Sequence, residues 1–178
     1  VDDEVKSGRP ERGEFAEYAA GDIAAVEGDS AAIALVTQFG DMLTLLQGLD
    51  EQRVRGLSYA AGKWTFKEVI GHVIDDERIF AYRALCVARN DTRALPGFDE
   101  NQYVAATRFE ARTLASLSAE YAAVRSASIL FFTSLDEEEW LRRGTVNGYS
   151  ASVRGLAFHL AAHELHHLRI LREHYLAL

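Results

Sequence analysis

One cysteine, two prolines and a deficit of positive charge set the first limits on this 178-residue sequence. Cys86 alone excludes an internal disulfide framework and a cysteine-rich zinc site, and the expected place for it is a small niche in the core. Such cysteine usage fits a reducing compartment, so the expected location is cytoplasmic. No run of about 18 apolar residues is present to span a membrane. The opening, VDDEVKSGRPERGEF, has no apolar stretch of the kind a secretory signal needs. Basic residues number 19 against 27 acidic ones, a formal charge of -8, and no Lys/Arg cluster offsets it. An acidic surface repels phosphates, which excludes nucleic acid as the expected partner.

The chain is long enough for one domain with a real core and too short for two ordinary ones. Residues 1–15 read as a loose polar leader and 16–178 as a single domain. Four long helical segments follow the leader. The first, about 31–49, places Ile33, Val36, Phe39, Leu43 and Leu46 on one stripe. The second opens at KWTFKE, where Thr65 and Glu68 form a capping-box pattern, and closes near Asn90. A third spans about 110–135. The fourth spans about 151–177, after the turn GTVNGYS, with Ser150 or Ser152 as its N-cap. Between the second and third lies LPGFDENQYVAATRFE, read as a long crossover with at most a short helical turn. A short extended piece near 141–146 is the only strand signal. The pattern is that of an all-α four-helix bundle.

Five of the six histidines fall between positions 159 and 175. At about 100° per residue, His159, His163, His166, His167 and His174 share one helical face about 100° wide. Leu156, Leu160, Leu171 and Val153 place the apolar side so that His163 and His167 face the interior. His159 and His166 lie at its edge, and His174 points inward roughly 10 Å beyond His167. Two imidazoles one turn apart offer two ligands to one ion, although satisfied core histidines are the alternative. On the second helix His72 borders the stripe Val69, Val73, Phe80, Ala84 and Val87, with Asp76 and Arg83 on the same side. A third buried imidazole needs a partner, and a shared metal supplies one.

Three imidazoles leave a coordination shell open to water or a substrate atom. Zn²⁺ and Ni²⁺ both suit them, as does Fe²⁺. Asp76, one turn after His72, is expected to orient that ring or to act as a fourth ligand, with pairing to Arg83 as the alternative. His163, Glu164 and His167 also spell H-E-x-x-H, the zincin pattern. Glu164 lies about 100° from His163 on the wheel, and a metalloprotease needs a strand-edged cleft that this sequence does not predict.

With these residues placed, the chain resembles the DinB-like, or YfiT-like, metal-binding four-helix family. The likeness rests on YAAGKWTFKEVIGHVIDDERIFAYRAL, LPGFDENQYV and HELHHLRILREHY. Ala61 stands where a proline is frequent, and Ala162 where glycine often precedes the first ligand of the last helix. The resemblance implies a divalent metal, commonly nickel or zinc, on His72, His163 and His167, and a homodimer. It further implies a small-molecule substrate and, for some relatives, S-transfer from a low-molecular-weight thiol. A metal-dependent hydrolase and a non-catalytic metal-binding stress-response protein are the alternatives. The LPGFDENQYV loop is expected either to lie over the site or to be a packed crossover.

Overall fold

The structure, a computed structural model, describes residues 7–177. Its elements are α1 (Ala20–Ala25), α2 (Ala31–Gln47), α3 (Glu51–Val54), α4 (Phe66–Ala88), α5 (Glu100–Ala105), α6 (Leu114–Thr133), α7 (Glu137–Leu141), β1 (Arg143–Val146), β2 (Tyr149–Ser152) and α8 (Val153–Ile170). The fold is a four-helix bundle of α2, α4, α6 and α8, with a two-stranded sheet beside it. Each long helix begins at a hydroxyl cap that satisfies a first-turn N–H: Ser30, Thr65, Thr113 and Ser152. At Thr65 the reciprocal bond from Glu68 completes the capping box. No helix among the described residues is long and apolar enough to cross a membrane.

α8 packs on α4 and α2, and α6 packs on the same two helices. The core forms two apolar clusters. One gathers Leu35, Phe80, Phe132 and Phe158; the other gathers Met42, Ile70, Leu117 and Leu168. Between them each long helix contributes a buried polar residue: Gln38, Glu77, Arg125 and Glu164. Arg125 bonds Glu77 through Nε at 3.0 Å, pairs with Glu164, and donates to the Leu35 carbonyl at 3.3 Å. Tyr121 donates its hydroxyl to the other oxygen of Glu164 at 2.8 Å. These bonds tie all four helices together across the middle of the bundle.

Several sequence expectations change. The α2 stripe is rotated: Ile33 and Val36 are about half exposed, and the buried face is Leu35, Gln38, Met42, Leu45 and Leu46. The third helix is shorter, starting at the Thr113 cap rather than at 110. The turn before the last helix is a hairpin, with Arg143 opposite Ser152 and Val146 opposite Tyr149. Asn147 and Gly148 both take positive φ, 48° and 81°, as a two-residue I′ turn requires. After Ile170 the last helix widens into a π turn over Leu171–Leu176, which changes its register and leaves His174 exposed rather than inward. Positions 1–6 of the polar leader lie outside the described residues. Glu14, by contrast, is 2% exposed and accepts from Arg154 Nε and Arg143 Nη2, both at 2.7 Å.

Candidate metal centre

α4 carries His72 into the bundle on the face shared with Asp76, Phe80 and Arg83, at the i, i+4, i+8, i+11 spacing of one helical side. Gly71 lets the Phe109 ring lie directly on the helix beside it, where a Cβ would sit 2.3 Å from ring carbons. α8 presents His163 and His167 one turn apart on the side toward α4. His163 Nε2 lies 2.9 Å from His72 Nε2 and 3.1 Å from His167 Nε2. One ligating atom from each of the three falls within 4.8 Å of the others. His72 is buried, while His163 and His167 keep partial exposure to a cavity.

This arrangement is short of hydrogens. A neutral imidazole nitrogen offers either one N–H or one lone pair, so His163 Nε2 cannot properly satisfy two neighbouring ring nitrogens at once. Protonation is no remedy. Burial drives His72 down to about 4 and His167 to about 3, and burial with the neighbouring histidines holds His163 well below its ordinary value. One cation shared by three lone pairs resolves the conflict. Nitrogens about 2.05 Å from an ion stand about 2.9 Å apart at right angles and about 3.3 Å apart in a tetrahedron. The two short separations here, 2.9 and 3.1 Å, fall in that interval. The donor set and these two separations are those a divalent ion takes.

The second ring nitrogen of His163 meets Asp76. Its Nδ1 is 3.2 Å from Asp76 Oδ2, close enough for attraction but not aligned as a hydrogen bond. The sequence placed Asp76 beside His72; the structure places it under His163, because α4 and α8 are rotated so that their polar edges meet. Burial pushes the Asp76 carboxyl up to about 8, against the pull of Arg83. The alternative partner for Asp76, Arg83, makes no ion pair with it; that guanidinium donates to the Pro96 carbonyl at 2.8 Å. Glu164 points away from the triad into the buried Arg125 network, which removes it as the base of a zincin-like site. Burial raises it above the ordinary carboxyl range, with Arg125 pulling the other way.

A cavity of about 500 Å³ opens on the three histidines. Trp64, whose ring lies 4.9 Å from that of His72, forms one wall. Further walls come from Tyr18, Phe80, Arg83, Phe98 and His159. His159 is buried, stacked on Phe80 at 4.2 Å, and driven down to about 4 chiefly by that burial. The helical wheel puts it at the edge of the interior face; α1 and the turn before it cover that edge. His166 stays partly exposed, 3.7 Å from Asp22. The crossover is held against the hairpin by Leu95 N to Thr145 O and Asn147 N to Leu95 O, both 2.9 Å. Phe98 and Glu100 reach the cavity from it, so the crossover forms part of the wall. Tyr18 and Asp22 had no periodic signal in the sequence.

The DinB superfamily sequence model matches residues 34–171, which include all three histidines and both helices that carry them. The chain belongs to the DinB superfamily. Among solved structures, YfiT from Bacillus subtilis matches with a TM-score of 0.69 at 14% identity, over 92% of this chain and 89% of that one. YfiT is described as "a probable metal-dependent hydrolase with an unusual four-helix bundle topology". At that identity the likeness concerns the fold. No curated protein matches the chain.

Proposed function

We propose that this DinB-superfamily chain is a divalent-metal-dependent enzyme acting on a small molecule, with His72, His163 and His167 as ligands and a coordination position open to the cavity. The observation that carries this reading is the meeting of three neutral ring nitrogens that cannot satisfy one another, at the floor of a cavity of about 500 Å³. A closed structural site would have no such space beside it. Zn²⁺ or Ni²⁺ suits three imidazoles. Such an ion supplies Lewis-acid chemistry, lowering the pKa of a thiol or water that reaches it.

The chain's own residues have separate tasks. Asp76, 3.2 Å from the second nitrogen of His163, is the group that would orient that ring once its Nε2 binds the ion. Trp64, Phe80 and Phe98 give the cavity apolar walls. A cavity of about 500 Å³ has room for a low-molecular-weight thiol as the nucleophile beside an electrophile, and S-transfer is the reaction proposed. Hydrolysis is the second reading, favoured by the description of YfiT. We place the protein in the cytoplasm as a homodimer.

Elemental analysis of untagged protein, beside a His72→Ala variant, tests the site. About one metal per chain in the parent, lost in the variant, supports the reading; no metal after reconstitution with zinc and nickel overturns it. Thiol conjugation to model electrophiles, run against an ester and amide panel, then separates the two reactions.

A further inference from the structure

Two arginines are buried among the described residues, and they are treated differently. Arg125 is 0% exposed and is held by two carboxylates, Glu77 and Glu164. Arg83 is 4% exposed, and among the described residues no carboxylate pairs with it. Its one hydrogen-bond partner among the described residues is the Pro96 carbonyl. The guanidinium is clamped between two aromatic rings, 4.7 Å from the centre of Phe80 and 5.7 Å from that of Phe98. A guanidinium has five N–H donors in a rigid fork, and the described residues take up only one here. The side chain lines the same cavity as the histidine triad. Asp76 acts on it only at a distance, with no direct ion pair, and a buried, immobilised charge left so is costly unless something else completes it.

We propose that Arg83 anchors an anionic group of the substrate, a carboxylate or phosphate on a small organic molecule, at the end of the cavity away from the triad. The inference rests on reading the triad as the reacting end. His72 and Arg83 are eleven residues apart on one face of α4, roughly 16 Å of helix at 1.5 Å per residue. The side chains close part of that span: the guanidinium lies 4.7 Å from the Phe80 ring, which stacks at 4.2 Å on His159, whose ring is 6.5 Å from that of His163, so the anionic and reacting groups belong to two ends of one small ligand. The fork is suited to planar, two-oxygen recognition, which lysine does not reproduce. The rings of Phe80, Phe98 and Trp64 supply apolar walls for the body between the two ends. Glu100 and Asp22 at the mouth carry the opposite charge, so selection for an anion depends on Arg83 itself.

Isothermal titration with benzoate, its neutral analogue benzamide and inorganic phosphate tests this, on the full chain with metal content measured in each sample. Saturable binding of benzoate or phosphate is expected, with none for benzamide. Arg83→Gln should weaken anion binding at least about tenfold and Arg83→Lys should weaken it less. Tighter binding of benzoate marks a carboxylate substrate, and tighter binding of phosphate a phosphorylated one. Equal anion binding by the parent and Arg83→Gln, or no saturable binding by the parent, overturns the proposal. Should Arg83→Gln fail to fold, the comparison rests on Arg83→Lys, and unchanged affinity there overturns it as well. Metal-stripped parent protein separates this inference from the reading beneath it. Benzoate binding that needs Arg83 but no metal preserves the anchor when the metal reading fails, and anion binding that needs the metal but not Arg83 does the reverse.

Discussion

Arg125→Met would strand two carboxylates in the centre of the bundle. Glu77 and Glu164 are each about 1% exposed at the side chain, and Arg125 is their shared cation. Methionine has similar length and no charge, so the change removes the cation with little loss of volume. Breaking a buried pair by removing one partner costs about 3–5 kcal/mol, because the remaining charge stays desolvated. For a chain of this size each kcal/mol is worth roughly 2–4 °C, so the melting temperature should fall by about 10 °C. The variant should also acquire a pH dependence. Without Arg125, Glu164 holds its proton more tightly in the folded state than in the unfolded one, so the variant is comparatively stable at pH 5.5 and weakest at pH 8. Adding Glu77→Gln and Glu164→Gln removes the stranded charges and should restore much of the loss. Thermal and urea denaturation followed by circular dichroism at both pH values provide the assay. A loss below about 1 kcal/mol, or no recovery in the triple variant, would refute the assignment of Arg125 as the central counter-ion.

Gly71→Ala should destabilise the protein by about 1–3 kcal/mol by driving a methyl into the Phe109 ring, and a melting curve equal to the parent's would show that the ring moves freely. Glu14→Ala should free Arg143 and Arg154 and lower stability by about 2–4 kcal/mol, with faster proteolysis ahead of α1 as the readout. Metal-free protein should be most stable near neutrality. Below an unfolded histidine pKa of about 6.5 the unfolded chain takes up protons that His72, His159 and His167 refuse until about 4, 4 and 3, so stability falls over that range. Asp76, raised to about 8, acts oppositely: its contribution is full at low pH and lost as pH rises through 8. A melting temperature flat from pH 8 to pH 4.5 would contradict the buried, neutral state of these rings.

The parts of the fold legible in the sequence were those governed by a single helix. Periodicity marked four long helices, and the i, i+4 spacing of His163 and His167 together with the stripe around His72 brought three rings to one interior. What depends on how helices rotate against one another was not legible. α2 has apolar residues on both sides, so Ile33 and Val36 were as plausible a core face as Leu35 and Met42. The partner of Asp76 depends on the relative rotation of α4 and α8. Nothing in the sequence singles out Arg125, because its counter-ions come from two other helices. The hairpin strands are only four residues each, too short for alternation to stand out, although Asn147-Gly148 was a usable turn signal.

The cavity is assembled from two kinds of material. Its floor and the Arg83 side belong to α4 and α8, whereas Tyr18, Phe98, Glu100 and Asn147 arrive from segments outside the four long helices. The outer segments can change length and chemistry without disturbing the packing that fixes the histidine rings. This division separates what the site does from what it does it to. Ligand preference can then be altered by remodelling the rim, while the bundle that aims the three rings stays as it is.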